Sequence, residues 1–464
     1  MQNDFSKGSI PRTIIRLAIP LIIAQLVNAL YSIVDRIYIG HMPNVGQMAL
    51  TGIGLCFPIT MSITAFTYLI GNGGAPLSAI LRGKKDMDGA EEVLGNSVTM
   101  LILLGTVIPL LCYALRQPIL YLFGASDATY PYADAYIRIY LCGSLPVMLT
   151  MGLNPFINAQ GFARQGMITV SIGAVLNLVL DPIFIFTLHM GIAGAAVATV
   201  ISQTVSCVWV LSFLLGKRTQ LHIRRKNLRL KAPVVKKITG LGTSGFIMAI
   251  TESMTSAAFT SNAQLFGGDI YVTAVTVAAS IGQMSFLVAN GFAQGAQPVT
   301  SFNYGAKAYA RVRECYRFLL IACFACTCII WLLLQLFMPQ IISIFNSDPE
   351  LIAIGTPMLR IYFLCSFGSG LRCASQNSFI ALDEPRKATF FALFRKVILL
   401  IPLIFILPRV GYGIVGIFAA DPIADIVSAV SCTAVFLATT YRKLKQKELE
   451  QLAYPMNSEM HGSI

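Results

Sequence analysis

VLNLVLDPIFIFTLHMGIAGAAVAT, residues 175–199, decides how the rest of the chain is read. Its apolar run offers a carboxylate no water, yet Asp181 stands in the middle of it. An ionisable side chain there costs about 2.5–3.5 kcal/mol on insertion scales, which marks it as functional unless a buried arginine pairs with it. Asn177 lies four residues earlier, one helical turn away on the same face. Pro182 follows at once and frees a backbone carbonyl one turn back. After His189 the chain turns at Gly191 and re-enters an apolar segment, which returns Thr199 to a similar depth. A carboxylate, an amide and a hydroxyl at matched depth suit a small cation or a proton.

The whole chain shares this character. It is 56% hydrophobic and only 12% charged, about half the charged share of a soluble domain. A soluble core has no room for that much apolar surface, so an all-α polytopic membrane protein is expected. Lys7, Arg12 and Arg16 precede a full-length apolar span, a pattern without a cleavable signal peptide. The net charge of +13 resides in membrane-flanking loops, so no nucleic-acid partner is expected. Cys323, Cys326 and Cys328 have ligand-like spacing but fall inside a continuous hydrophobic helix without His or acidic neighbours. Packing, not metal, is their expected role.

Apolar spans of about twenty residues occur twelve times. Their limits are 14–40, 48–72, 93–115, 131–156, 165–188, 190–215, 238–264, 271–297, 315–337, 350–380, 387–408 and 413–440. With a cytoplasmic N-terminus, the inward loops and the tail hold 26 of the 34 basic residues, and the outward loops hold only Arg116 and Arg409. So lopsided a split obeys the positive-inside rule and places both termini in the cytoplasm of a cell-membrane protein.

The chain also repeats itself at a separation of 222 residues. GNGGAPLSAILRGKKD (71–86) answers GFAQGAQPVTSFNYGAKA (291–308), IRIY (137–140) answers LRIY (359–362), Arg164 answers Arg386, and GIAG (191–194) answers GIVG (413–416). The spacing predicts two pseudo-symmetric six-helix bundles of parallel topology, as in secondary transporters. The expected division is an N-lobe at 1–216, a basic linker at 217–237, a C-lobe at 238–440 and a tail at 441–464.

Intramembrane polar groups then select a site. Asp35 in the first span, Tyr136 in the fourth, Asn177 and Asp181 in the fifth and Thr199 in the sixth share the outer half of the first bundle. Two carboxylates close together do not both stay ionised cheaply, so the pair is expected to hold a proton or a cation. Sodium would use Asp35, Asn177, Asp181 and Thr199. Candidate lining for a central cavity comes from Gln25, Asn28, Tyr31 and Ser32, from Asn154, Phe156 and Asn158, and from Gln283, Met284 and Phe286. The second half differs: Pro182 pairs with Pro402, which leaves Ile401 where Asp181 would repeat, and the acids are Glu252, Asp421 and Asp425. Two roles are open to Glu252, contact with a cationic substrate or proton, or an ion pair with Arg395 or Lys396. Asp421 and Asp425 are expected to satisfy Arg360 or Arg372.

These pieces together resemble the multidrug and toxic compound extrusion (MATE) family, and within it the MepA-like branch. The resemblance rests on RLAIPLIIAQLVNALYSIVDRIYIG (16–40), ALTGIGLCFPI (49–59), the Gly-rich 71–86 segment, LNLVLDPIFIF with GIAGAAVATVISQ, GFAQGAQPVTSFNYGAK (291–307) and IPLIFILPRVGYGIVG (401–416). It implies twelve helices in two lobes around a V-shaped cavity. It also implies export of organic cations and other amphipathic drugs in exchange for protons or sodium, with no further cofactor. Some relatives bind the cation through an acid on the first helix and an Asn-xxx-Asp pair on the fifth, which match Asp35, Asn177 and Asp181, with hydroxyls matching Tyr136 and Thr199. Others use a Glu on the seventh helix with an Asp on the tenth. Glu252 matches the first of these, but the tenth span has no acid after Glu350.

Two other classes are weighed against an antiporter that works as a monomer. A flippase or exporter of a lipid-linked or anionic metabolite calls for cavity-facing cations, for which Arg138, Arg360, Arg372, Arg395 and Lys396 are candidates. An enzyme calls for a catalytic cluster, and the sequence holds no HExxH, no acidic metal pair at a loop mouth and no nucleophile with a placed base.

Overall fold

The computed structural model describes residues 5–460, apart from 41, 43–45, 124, 128 and 346–348, and every regular element among them is helical. Apolar runs of 25 or more residues form the long helices. These are α1 (Ile10–Gly40), α2 (Gly46–Gly83), α3 (Met87–Ala114), α8 (Gly191–Leu215), α10 (Asp269–Gly305) and α11 (Tyr309–Phe345), with the more polar α9 (Ala232–Gly267) beside them. Short α4 (Arg116–Leu122) follows α3, and α17 (Arg442–Met460) ends the described chain.

The other spans are broken, each for a local reason. The fourth is α5 (Tyr130–Cys142) and α6 (Ser144–Ala159), which meet at Gly143 with a 58° bend. A Cβ on Gly143 would lie 2.3 Å from Val200, so α8 presses in at the break, while the Ser144 hydroxyl donates to the freed Leu141 carbonyl at 2.6 Å. The fifth is α7 (Ala163–Pro182) followed by a π-turn at Ile183–Thr187. Pro182 has no N–H to continue the α ladder, and the wider ring closes with Leu188 N donating to Ile183 O at 2.9 Å. The tenth is α12 (Pro349–Tyr362) and α13 (Gly368–Ala381). The eleventh runs through α14 (Pro385–Leu393), a π segment at Phe394–Leu400, α15 (Ile401–Leu407) and a second π segment at Pro408–Tyr412. The twelfth is α16 (Gly413–Val435), continued by Phe436–Tyr441.

Eight stretches are long and apolar enough to cross a membrane unbroken, and the bent α5–α6 pair adds a ninth. One of the eight, Pro385–Gln451, contains the eleventh and twelfth spans together. The two that fall short are α9, diluted by Ser and Thr, and the interrupted α12–α13. The chain is a multi-pass helical membrane protein of twelve spans.

The backbone carries the duplication more sharply than the side chains do. Left-handed residues recur 222 positions apart at Lys85 and Lys307, Gly161 and Asp383, His189 and Gly411, and Gly191 and Gly413. Lysine, histidine and aspartate adopt positive φ only where the turn demands it. Four such pairs at one spacing mark two copies of one helical unit.

Packing divides the chain into two compact units. Among the described residues, one comprises 19–81 and 86–250, and the other comprises 5–18, 82–85 and 251–460. In the first unit, Ile63, Ile70, Leu94, Leu101 and Phe156 fill the core between α2, α3 and α6. The chain between α8 and α9 is strapped onto this unit. The Gln160 Oε1 accepts from Thr219 Oγ1 at 2.7 Å and from the amides of Gln220 and Leu221 at 2.8 and 2.9 Å. Asn96 accepts from Lys231 N at 2.8 Å, and Glu91 pairs with Arg224 at 2.7 Å. In the second unit, one core gathers Phe259, Phe363, Ile404 and Phe418, and another gathers Tyr316, Phe379, Phe391 and Phe436. The N-terminal segment is clamped there by Arg311, which donates to the carbonyls of Phe5 at 3.0 Å and Gly8 at 3.1 Å.

Candidate cation-coupling site

The α-to-π junction at Pro182 holds Asp181 in the interior of the first unit. Asp181 is 1% exposed, Asn177 2%, Thr199 7% and Tyr136 8%. Asn177 Nδ2 donates to Asp181 Oδ1 at 3.1 Å and to Thr199 Oγ1 at 3.3 Å, so one amide ties α7 to α8. The Asp181 carboxyl is also in hydrogen-bonding contact with Asp35 of α1. Its partners are therefore an amide and a second acid, not an arginine. Asp35 also lies within electrostatic range of the phenols of Tyr31 and Tyr136. Tyr136 stacks on Tyr140 with ring centroids 6.0 Å apart.

The chemistry of this cluster follows from its donors. An ionised carboxylate only accepts hydrogen bonds, so two carboxyls in contact need a proton or a cation between them. Asn177 has spent both donor contacts, and its buried Oδ1 has no hydrogen-bond partner among the described residues. That oxygen, Thr199 Oγ1 and the two carboxyls form an oxygen-rich set suited to a hard monovalent cation. Tyr140, one turn after Tyr136, was not singled out from sequence, and Tyr31 joins this cluster as well. Their i,i+4 spacings to Tyr136 and Asp35 were the available signal.

The residues expected to line a cavity scatter. Gln25 is half-buried with its Nε2 outside any hydrogen bond. Asn28 is exposed, and its carbonyl accepts from Ser32 Oγ at 3.0 Å. Asn154 donates to Gly166 O at 3.3 Å, and Asn158 Oδ1 sits where a Cβ on Gly166 would come within 2.1 Å. Both amides therefore face α7. Phe156 is the exception that helix geometry explains. Two residues from each asparagine, it points the opposite way and is 0% exposed in the core, against Gly74. It does not line a cavity. Gln283, Met284 and the 62%-exposed side chain of Glu252 are open, while Phe286 is partly covered.

The charges of the second unit form one network. Glu252 pairs with Lys396. Arg395 Nε meets Asp425 Oδ1 at 2.5 Å and its Nη2 meets Asp421 Oδ1 at 3.0 Å. Arg395, rather than Arg360 or Arg372, is thus the main partner of the two aspartates; Arg372 reaches Asp425 only at 3.8 Å and Arg360 is exposed. Cys323 is fully buried, and the eleven cysteines are free thiols.

Residues 20–183 and 246–406 match the MatE family profile, one block in each copy of the repeat. The chain belongs to the MatE family. MatE proteins are membrane transporters, not enzymes. This MatE chain is 23% identical over 425 residues to the multidrug export protein MepA of Staphylococcus haemolyticus, covering 92% of this chain and 93% of the relative. It is also similar to a crystal structure of MATE in complex with MaL6, with TM-score 0.89 and 24% identity over 95% of this chain and 98% of the other. An outward-facing multidrug resistance MATE transporter of the MOP superfamily superposes with TM-score 0.88 and 24% identity, covering 94% and 97% of the two chains. At this identity the structural likeness speaks for the fold.

Proposed function

We propose that this MatE chain exports amphipathic organic cations in exchange for a proton or a sodium ion by alternating access. The observation that carries the reading is the contact of two carboxyls, half-buried Asp35 and fully buried Asp181, inside a cluster of polar oxygens. Loaded with a cation, the pair is neutralised and draws α1 and α7 together. Emptied, it repels itself in a low-dielectric site. Loading therefore biases the conformation of α1, which has Pro20 to absorb a bend. A substrate cation and the coupling ion that favour opposite states exchange for one another. The multidrug export named for the staphylococcal relative supports the substrate class. The charge asymmetry of the loops supports a cytoplasmic-membrane location with both termini inside, and one chain, acting as a monomer with no cofactor beyond the coupling ion, holds the whole cluster.

The test is uptake of a fluorescent organic cation into inverted proteoliposomes under an imposed proton or sodium gradient. One of the two gradients drives accumulation by the wild type, and Asp181→Asn abolishes it. Accumulation by Asp181→Asn at the wild-type rate would sink the proposal.

A further inference from the structure

Of the five cations weighed as anion anchors, four are accounted for. Arg138 pairs with Asp134 at 3.5 Å, Arg395 holds two aspartates, Lys396 holds Glu252, and Arg360 is exposed. Arg372 on α13 is different. It is 8% exposed, carries five N–H donors, and makes no hydrogen bond among the described residues. Its Nε is buried without a partner. The nearest acid oxygen, Asp425 Oδ1, is 3.8 Å away and is already taken by Arg395. One face of the guanidinium rests on the ring of Phe286 at 5.7 Å. One turn beyond Asp425 on α16, the buried hydroxyl of Ser428 is also unpartnered.

A buried guanidinium with its donors unspent is costly, and its planar fork fits a carboxylate in two parallel hydrogen bonds. We infer that Arg372 is the anchor for the carboxylate of an amphipathic substrate, with Phe286 against the apolar body. The charges around it narrow the class. Arg372, Arg395 and Lys396 face Asp421, Asp425 and Glu252, so the network is balanced before anything binds. A carboxylate that arrives with its own ammonium keeps that balance; a simple anion leaves one negative charge in excess. Beside the organic cations of the proposed export, this site admits an aromatic zwitterion, whose ammonium it shares with them and whose carboxylate Arg372 takes.

The inference rests on the reading of the chain as an exporter of amphipathic molecules, but it is tested by binding, so loss of gradient-driven uptake does not decide it. Three probes are measured by equilibrium dialysis on the purified full-length protein: naphthylalanine, naphthylethylamine without the carboxylate, and naphthylpropionate without the ammonium. In the wild type naphthylalanine binds at least tenfold more tightly than either of the others. Arg372→Gln removes that advantage and leaves naphthylethylamine within twofold. Arg372→Lys, which keeps the charge but not the fork, loses at least threefold for naphthylalanine and carries the test if the glutamine variant does not fold. No preference for naphthylalanine in the wild type, including no binding of it, overturns the inference. So does a full preference kept in both variants, which would leave Arg372 as a counter-charge to Asp425 only.

Discussion

The crossing of α2 and α9 in the first unit is tight enough that one methyl group tests it. A Cβ placed on Gly242 would lie 1.7 Å from the Leu69 carbonyl oxygen, and one on Gly73 would lie 2.0 Å from that of Ile238. Real Cβ contacts stay above 3.0 Å. The α2 backbone would therefore retreat by about 1.3 Å from a contact sealed by the fully buried Ile70 and Ile238. Overpacking that moves backbone costs about 3 kcal/mol or more, and the helix-propensity gain of alanine over glycine returns only about 1. Gly242→Ala is expected to destabilise the protein by about 2 kcal/mol or more. Gly240, two residues away on the same helix, has nothing within 4 Å of its Cβ position, so Gly240→Ala is neutral or stabilising by up to about 1 kcal/mol. Six buried free cysteines, among them Cys56, Cys207 and Cys432, make a thiol-reactive dye a direct reporter of unfolding in detergent. The expected result is a melting temperature several degrees lower for Gly242→Ala alone. Two variants that melt within about 1 °C of each other would refute the close crossing.

Other expectations follow from single contacts. Gln160→Ala removes an acceptor of three hydrogen bonds, worth about 2–4 kcal/mol together, and frees the strap between α8 and α9. Trypsin cleavage after Arg224 and Arg225 should accelerate at least tenfold in native protein, and an unchanged rate counts against the docked strap. Arg395→Leu leaves Asp421 and Asp425 without their main cation in the interior, at a cost of about 3–5 kcal/mol. Adding Asp425→Asn should recover part of the lost melting temperature; no recovery would mean that the pairing is not what holds this network. Asp35→Asn is expected to abolish gradient-driven uptake of the organic cation while leaving the melting temperature near wild type, and retained uptake would remove α1 from the coupling site.

Much of this was legible because membrane physics simplifies the code. Length, apolarity and the side of each basic loop place twelve spans, and the burial cost of Asp181 singles out α7 before any coordinate is known. The Asn177–Asp181 pair needed only helical periodicity, and Asp35 needed only depth. What escaped the sequence is where the helix departs from that period. Arg395 and Lys396 sit in the π segment Phe394–Leu400, whose wider turn swings both inward. The sequence offers either of them to Glu252, but it leaves Asp421 and Asp425 to Arg360 or Arg372 rather than to Arg395. Phe156 was misplaced for the opposite reason. Strict period on α6 sends it away from Asn154 and Asn158, so nearness in sequence does not put the three on one face. The docking of 217–231 was hidden because its partners are single polar residues, Glu91 and Asn96 in the first three turns of α3 and Gln160 at the end of α6, while sequence shows only a charged loop.

The central claim is that Asp35 and Asp181 jointly hold one exchangeable cation that the substrate displaces. It is tested most directly by adding a saturating organic cation to purified protein and counting the ions released, protons with a pH indicator in weak buffer and sodium by equilibrium with radiolabelled ion. The account predicts one ion released per wild-type protein and none from either Asp35→Asn or Asp181→Asn. Release of the same ion in the same amount from both variants would contradict it.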